Sequence, residues 1–141
     1  MTKQTRILLI EPDSVLASAL KASLVGAGHK VEHVLTAQEA VIEADAVTPD
    51  LVILELQLVS HSGIEFLCEF RSYPDWDHIP VVIYSSVPPA EFAASREGIA
   101  AELGVVKYLY KANASLSDLV RAVHEQLGSP PKLKVHAAAK K

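Results

Sequence analysis

At 141 residues, half of them apolar and 21% charged, the chain is sized for one compact domain rather than two. A formal net charge of −4 gives no reason to expect nucleic-acid binding, and apolar runs such as Ile7–Ile10 and Leu51–Leu54 are far too short to span a membrane. A single cysteine, Cys68, rules out an internal disulfide, and MTKQTR followed by Ile7–Ile10 and Glu11 lacks a signal-peptide core, so a reducing cytoplasm is the expected setting.

Short apolar runs alternate with stretches of helical period. Arg6–Ile10 predicts a strand buried on both faces, as central parallel strands are. Leu16, Leu20 and Leu24 then recur every four residues on a helix that Gly26 or Gly28 can stop. Val31–Leu35 predicts a weaker strand, and Thr36 with Glu39 forms a capping box ahead of an alanine-rich helix ending near Thr48-Pro49. Leu51–Leu54 predicts the third strand. Ser62-Gly63-Ile64-Glu65 is a second capping box, opening a helix expected to turn Ile64, Leu67 and Phe70 inward, with Cys68 as a small hydrophobe on it. Pro80 announces the fourth strand, Val81–Tyr84, and Pro88-Pro89 starts a helix containing Phe92, Arg96, Ile99 and Ala100. Val105–Tyr110 predicts the fifth strand. Ser115 to Asp118 caps a last helix with Leu116, Leu119, Val120, Val123 and Leu127 on one side, closed by Gly128. The expected domain covers residues 1–128, and residues 129–141, with two prolines, four lysines and no acid, read as a basic tail or linker.

Five β-α units in strict order predict a doubly wound α/β domain, a parallel sheet covered by helices on both faces. In such open sheets the chemistry sits where loops leave the carboxyl ends of the strands, beside the point where strand order reverses. The residues expected there are Glu11-Pro12-Asp13, Glu55, Ser85-Ser86 and Lys111: an acid cluster, a single acid, hydroxyls and a lysine. Of the six histidines only His29 and His33 are four apart, and they fall at a predicted strand, where four residues span ~13 Å, too far to share a metal, so no zinc site is expected. IEPDS after the first strand contains no glycine, which argues against an unrelated enzyme or nucleotide binder on the same scaffold.

That constellation, together with ILLIEPD, PDLVILELQLVSHSGIEFL, RSYPDWDHIPVVIYSS and KYLYKA in register, resembles the response-regulator receiver family over roughly residues 5–128. The resemblance implies a flavodoxin-like three-layer fold with strand order 2-1-3-4-5 and a place in two-component phosphorelay signalling. It sets Glu55 at the family's phosphoacceptor aspartate and Glu11 and Pro12 at its two metal-binding acids. Ser85 and Tyr108 fall at the switch hydroxyl and switch aromatic, and Lys111 at the invariant lysine. Family members use Mg²⁺ to bring a phosphodonor to the aspartate, after which hydroxyl and aromatic move inward.

Four departures touch this one rim. Glu55 is longer than aspartate by one C–C bond, ~1.5 Å, where misplacement of ~1 Å can cost about two decades of rate. Its carboxylate is expected either to pair with Lys111 as a partial mimic of the phosphorylated state or to stand as an inert acid. Pro12 removes a metal ligand, leaving at most weak Mg²⁺ binding at Glu11 and Glu55, so no metal or cofactor is expected. Asp13, just before Ser14-Val15-Leu16, suits a helix N-cap better than a ligand. Val59 and Ala112 stand where the family has prolines, and because a cis bond before a non-proline residue costs about 3 kcal/mol, Lys111–Ala112 is expected to be trans.

The resulting expectation is a non-enzymatic receiver-like module that acts by protein–protein interaction with a histidine kinase, an output protein or a second copy. The face made by the fourth helix, fifth strand and fifth helix would carry Phe92, Arg96, Glu97, Lys107, Tyr108, Leu109, Asp118 and Arg121. The alternative is a working receiver phosphorylated with Mg²⁺ on Glu55 or on a neighbour such as Ser60.

Overall fold

The computed structural model describes residues 4–59, 62–95 and 103–128. Strands β1 (Arg6–Ile10), β2 (Lys30–Val34), β3 (Leu51–Leu54), β4 (Val81–Ser85) and β5 (Val105–Tyr110) form one sheet in the order β2-β1-β3-β4-β5, every neighbouring pair parallel. The chain also forms helices α1 (Ser14–Gly26), α2 (Ala37–Ala46), α3 (Gly63–Arg71), α4 (Pro89–Ser95) and α5 (Leu116–Leu127), with a 3₁₀ turn at Pro74–Trp76. No helix among the described residues is long and apolar enough to cross a membrane.

Side chains alternate across a strand, so a run apolar at every position must be covered on both sides. Ile7, Leu9, Leu51, Ile53, Val82 and Tyr84 pack with Ala17, Leu20 and Leu24 of α1 and Leu119 and Val123 of α5. Leu8, Ile10, Val52, Leu54, Val81 and Ile83 pack on the opposite face with Ala40 and Ala44 of α2, Phe66, Leu67 and Phe70 of α3, and Phe92 of α4. Each large aliphatic side chain buried this way contributes about 1.5–3 kcal/mol.

The helix starts follow local chemistry. Asp13 accepts from the amides of Val15 and Leu16 and is the N-cap of α1. Ser62 and Glu65 make the reciprocal capping box of α3, and Ser115 and Asp118 that of α5. At α2, Thr36 accepts from the Glu39 amide, but Glu39 reaches back to the Leu35 amide rather than to the cap residue. Two inward faces differ from expectation. In α3 the fully buried residues are Phe66, Leu67 and Phe70, with Ile64 only partly buried, and in α1 Ala17 is buried while Leu16 is partly exposed. Strand β2 begins at Lys30, one residue before the expected start. The second half of the helix expected from Pro88-Pro89, with Arg96, Glu97, Ile99 and Ala100, and the tail 129–141 lie outside the described residues.

Candidate functional site

β1 is hydrogen-bonded to β2 on one side and β3 on the other, so the loops after β1 and β3 leave in different directions and open a crevice at the carboxyl edge. Glu11 and Glu55 each directly follow their strand there, and Glu11 is 2% and Glu55 3% exposed. Ser85 ends β4 and is fully buried, and Lys111 follows β5. Glu55 is held in register by its own amide, which donates to Ile10 O, while the Lys111 amide donates to Ser85 O. Gly63 lets the first turn of α3 close on this loop, since a Cβ there would stand 2.7 Å from Leu56 Cα.

Among the described residues, four donors surround the Glu55 carboxylate. Lys111 Nζ lies 2.7 Å and the Ser86 amide 3.2 Å from Oε1. Ser85 Oγ and the Gln57 amide, the latter at 2.9 Å, donate to Oε2. Glu11 is engaged in the same way, with Lys111 Nζ at 2.9 Å from Oε1 and the Asp13 amide at 3.1 Å from Oε2. His33 Nε2, 2.8 Å from Glu11 O, steadies the backbone below. One lysine therefore bridges two buried carboxylates.

Burial works to raise the Glu55 pKa, but hydrogen bonds from the Gln57 amide, Lys111 and Ser85 outweigh it and hold the carboxyl below its usual 4.5. Burial likewise works to lower Lys111, and its bonds to Glu55 and Glu11 instead raise it above 10.5. Both groups are held charged by each other.

Tyr108 on β5 is turned inward. Its hydroxyl donates to Val87 O at 2.6 Å, and its ring lies 5.4 Å from that of Phe92. Burial, with the negative charge of Glu55, pushes its pKa up to about 12. Val87 belongs to the loop after β4, whose amide donates to Ser85 Oγ at 3.0 Å. A continuous path runs from Glu55 through Ser85 to the β4–α4 loop, Tyr108 and α4.

The remaining expected residues separate. Pro12 is partly buried and offers no side-chain ligand. Asp13 points its carboxylate at the helix it caps rather than into the crevice. Val59 is 79% exposed, and Ser60 lies outside the described residues. The described residues include no cis peptide bond, so Lys111–Ala112 is trans. Among the described residues no three His, Cys, Asp or Glu side chains converge on a possible metal position. Magnesium demands near-octahedral oxygen coordination. Here the four carboxylate oxygens already accept protein donors and an ammonium sits between them, so this arrangement does not fit Mg²⁺.

The expected interaction face needs one correction. Phe92 is 5% exposed and Leu109 8%, because α4 presses its aromatic onto Tyr108 and the sheet. Lys107 and Arg121 are exposed and Asp118 half-exposed, and they line a groove of about 370 Å³ with Tyr110, Asn113 and Glu125. Arg96 and Glu97 of that face lie outside the described residues. Sequence reasoning missed Gln57, whose side-chain Oε1 accepts from Ser86 Oγ at 3.0 Å and ties the two loops over Glu55. Nothing in a surface glutamine three residues past a strand signals that role.

A doubly wound sheet with paired acids, a buried hydroxyl and a lysine at one edge defines a receiver-type signalling domain. Residues 7–124 match the family model described as the response regulator receiver domain, and the chain belongs to that family. It is 34% identical over 82 residues to the KDP operon transcriptional regulatory protein KdpE of Escherichia coli, covering 58% of this chain and 35% of that protein. It is 33% identical over 122 residues to a gliding motility regulatory protein of Myxococcus xanthus, covering 86% of this chain and 15% of that protein. The chain thus spans about a third or less of the length of these relatives. In fold it is similar to a CheY-like response regulator receiver domain protein from Methanospirillum hungatei, with a TM-score of 0.78 at 20% identity over 89% of this chain and 94% of that one.

Proposed function

We propose that this chain is a receiver module that is not phosphorylated at the usual position and holds, without phosphate, the shape that phosphorylation produces in its relatives. Partners are engaged through the exposed part of the α4–β5–α5 face, where Lys107, Asp118 and Arg121 border the groove. A histidine kinase or an output protein suits that role, in the cytoplasm, with no metal required.

The observation that carries this reading is the saturation of the Glu55 carboxylate. The methylene added by glutamate lifts its oxygens to Lys111, Ser85 and the Ser86 amide, the groups a phosphoryl oxygen would otherwise meet. A nucleophile in this state would have to break those bonds before attack, and the loss of a ligand at Pro12 removes the metal assistance that phosphoryl transfer relies on. The inward Tyr108 is what a constitutively closed switch requires.

The test is incubation with a small acyl-phosphate donor and Mg²⁺, followed by intact mass. The expected result is no added phosphoryl mass. An adduct that vanishes in Glu55→Gln would show a working receiver instead. An adduct that persists in Glu55→Gln and maps to Ser60 would equally overturn the proposal.

A further inference from the structure

The edge of the sheet opposite Glu55 holds two histidines that the signalling site does not use. His29, between α1 and β2, is 0% exposed, and His124 is partly buried in the last turn of α5. Their ring centroids lie 5.2 Å apart at an interplanar angle of 51°. His29 Nδ1 is hydrogen-bonded to Thr5 Oγ1, but Nε2 of both rings is buried with no hydrogen-bond partner among the described residues. Buried polar atoms are nearly always satisfied, so two orphan nitrogens in one seam call for a physical account.

A neutral imidazole loses about one hydrogen bond by such burial, whereas an imidazolium would place an unpaired charge in an apolar seam. Among the described residues the seam supplies no counterion. Thr5, Ile7 and Val31 face α1 and α5, so strand alternation turns Arg6 and Lys30 to the other side of the sheet, where Arg6 lies with Glu32 and Glu43. Lys21 on α1 and Arg121 and Glu125 on α5 are exposed. Among the described residues His124, whose protonated ring would carry the same sign, is the neighbour that disfavours protonation of His29. Burial, reinforced by that like charge, holds His29 below its usual 6.5.

We propose that the His29–His124 contact is an acid-sensitive latch that keeps α5 seated on the sheet, released when the pair takes up one proton. The latch lies on the helix that carries Asp118 and Arg121, so its release would also reshape the groove they line. It does not depend on whether Glu55 can be phosphorylated. Because His29 in the folded chain binds its proton only below 6.5, the seam is fully held above that pH. It weakens as pH falls from there toward the lowered value, by about tenfold in the opening equilibrium per pH unit.

Amide hydrogen exchange of residues in α5, corrected for the intrinsic pH dependence of exchange, tests this between about pH 7.5 and about pH 5.5. The expected result is a fall in protection of about tenfold per unit below the ordinary histidine value, abolished in His29→Gln and made shallower in His124→Gln. An unchanged slope in either variant overturns the latch. Should His29→Gln fail to fold, the imidazole resonance of His29 in the unaltered protein decides the matter. Titration of that ring at its ordinary value while α5 stays protected overturns the proposal, and proton uptake coincident with loss of α5 protection supports it.

Discussion

Two half-buried cations anchor this domain at opposite edges of its sheet, and their donors are satisfied by different kinds of partner. Lys111, at the carboxyl edge, is held by the side chains of Glu11 and Glu55. Arg71, at the end of α3 on the amino edge, donates to backbone carbonyls: Leu103 O and Trp76 O at 2.6 Å each, Ile79 O, and Gly104 O at 3.4 Å. Gly104, with φ of 72°, is the residue that lets the chain pass this guanidinium, because a Cβ would collide with it. Carbonyls neither titrate nor change length, so the Arg71 edge is a fixed clamp on the segments before β4 and β5. Carboxylates titrate and depend on side-chain length, so the Lys111 edge can be reset by a proton, a methylene or a phosphoryl group. The same need, satisfying the donors of a half-buried cation, yields scaffold in one place and a switch in the other.

Removing either cation breaks the comparison most directly. Lys111→Met leaves Glu11 and Glu55 as uncompensated buried acids and is expected to destabilise the fold by about 3–5 kcal/mol at neutral pH. Urea unfolding should show much of that loss recovered in acid, where the carboxyls protonate. Arg71→Met takes the donor from Leu103 O and Ile79 O, while Trp76 O and Gly104 O keep amide donors, and is expected to cost about 3 kcal/mol. Its cost should change far less in acid, since its hydrogen-bond partners are carbonyls and, among the described residues, only the charge of Asp77 acts on it, and the near-ultraviolet signal of Tyr108 should stay unchanged in the folded variant.

The titration of the rim sharpens the contrast. Glu55 is held below 4.5, so its contribution is fully present above that pH and is lost as pH falls through the lowered value. Lys111 is raised above 10.5, so its contribution is present below that pH and is lost as pH rises through the raised value. In Glu55→Gln the acid limb of the stability profile should flatten. Tyr108 should remain protonated until about pH 12 by ultraviolet absorbance, with the transition absent in Tyr108→Phe. The smallest effect belongs to the exposed Ser86–Gln57 bond. Gln57→Ala is expected to cost no more than about 1 kcal/mol, while raising the accessibility of Glu55 to a carboxyl-modifying carbodiimide.

The alternation of apolar runs with helical periods, and the turn and cap residues between them, were enough to read five strands, their order along the chain and the helix starts. These are local features, and Asp13, Ser62 and Ser115 cap their helices through bonds to residues two or three positions away. The motif register likewise brought Glu11, Glu55, Ser85, Tyr108 and Lys111 to one edge on paper. Whether the longer acid at position 55 would reach Lys111 could not be read from the chain. It depended on the distance left between β3 and β5 across β4, and the packed sheet brings Lys111 to 2.7 Å from it.

Tertiary packing alone decided the rest. Phe92 has the same periodicity whether it faces solvent or the sheet, and only the seating of α4 on Tyr108 buries it. The partners of Arg71 lie 5 to 33 residues away in the chain and are all backbone atoms, which every residue has, so no side-chain pattern points to them. The meeting of His29 with His124 spans almost the whole domain, from the start of β2 to the end of α5. Hydrophobic period and capping are written in neighbouring residues, whereas the pairing of charges and rings is set by how the layers come together.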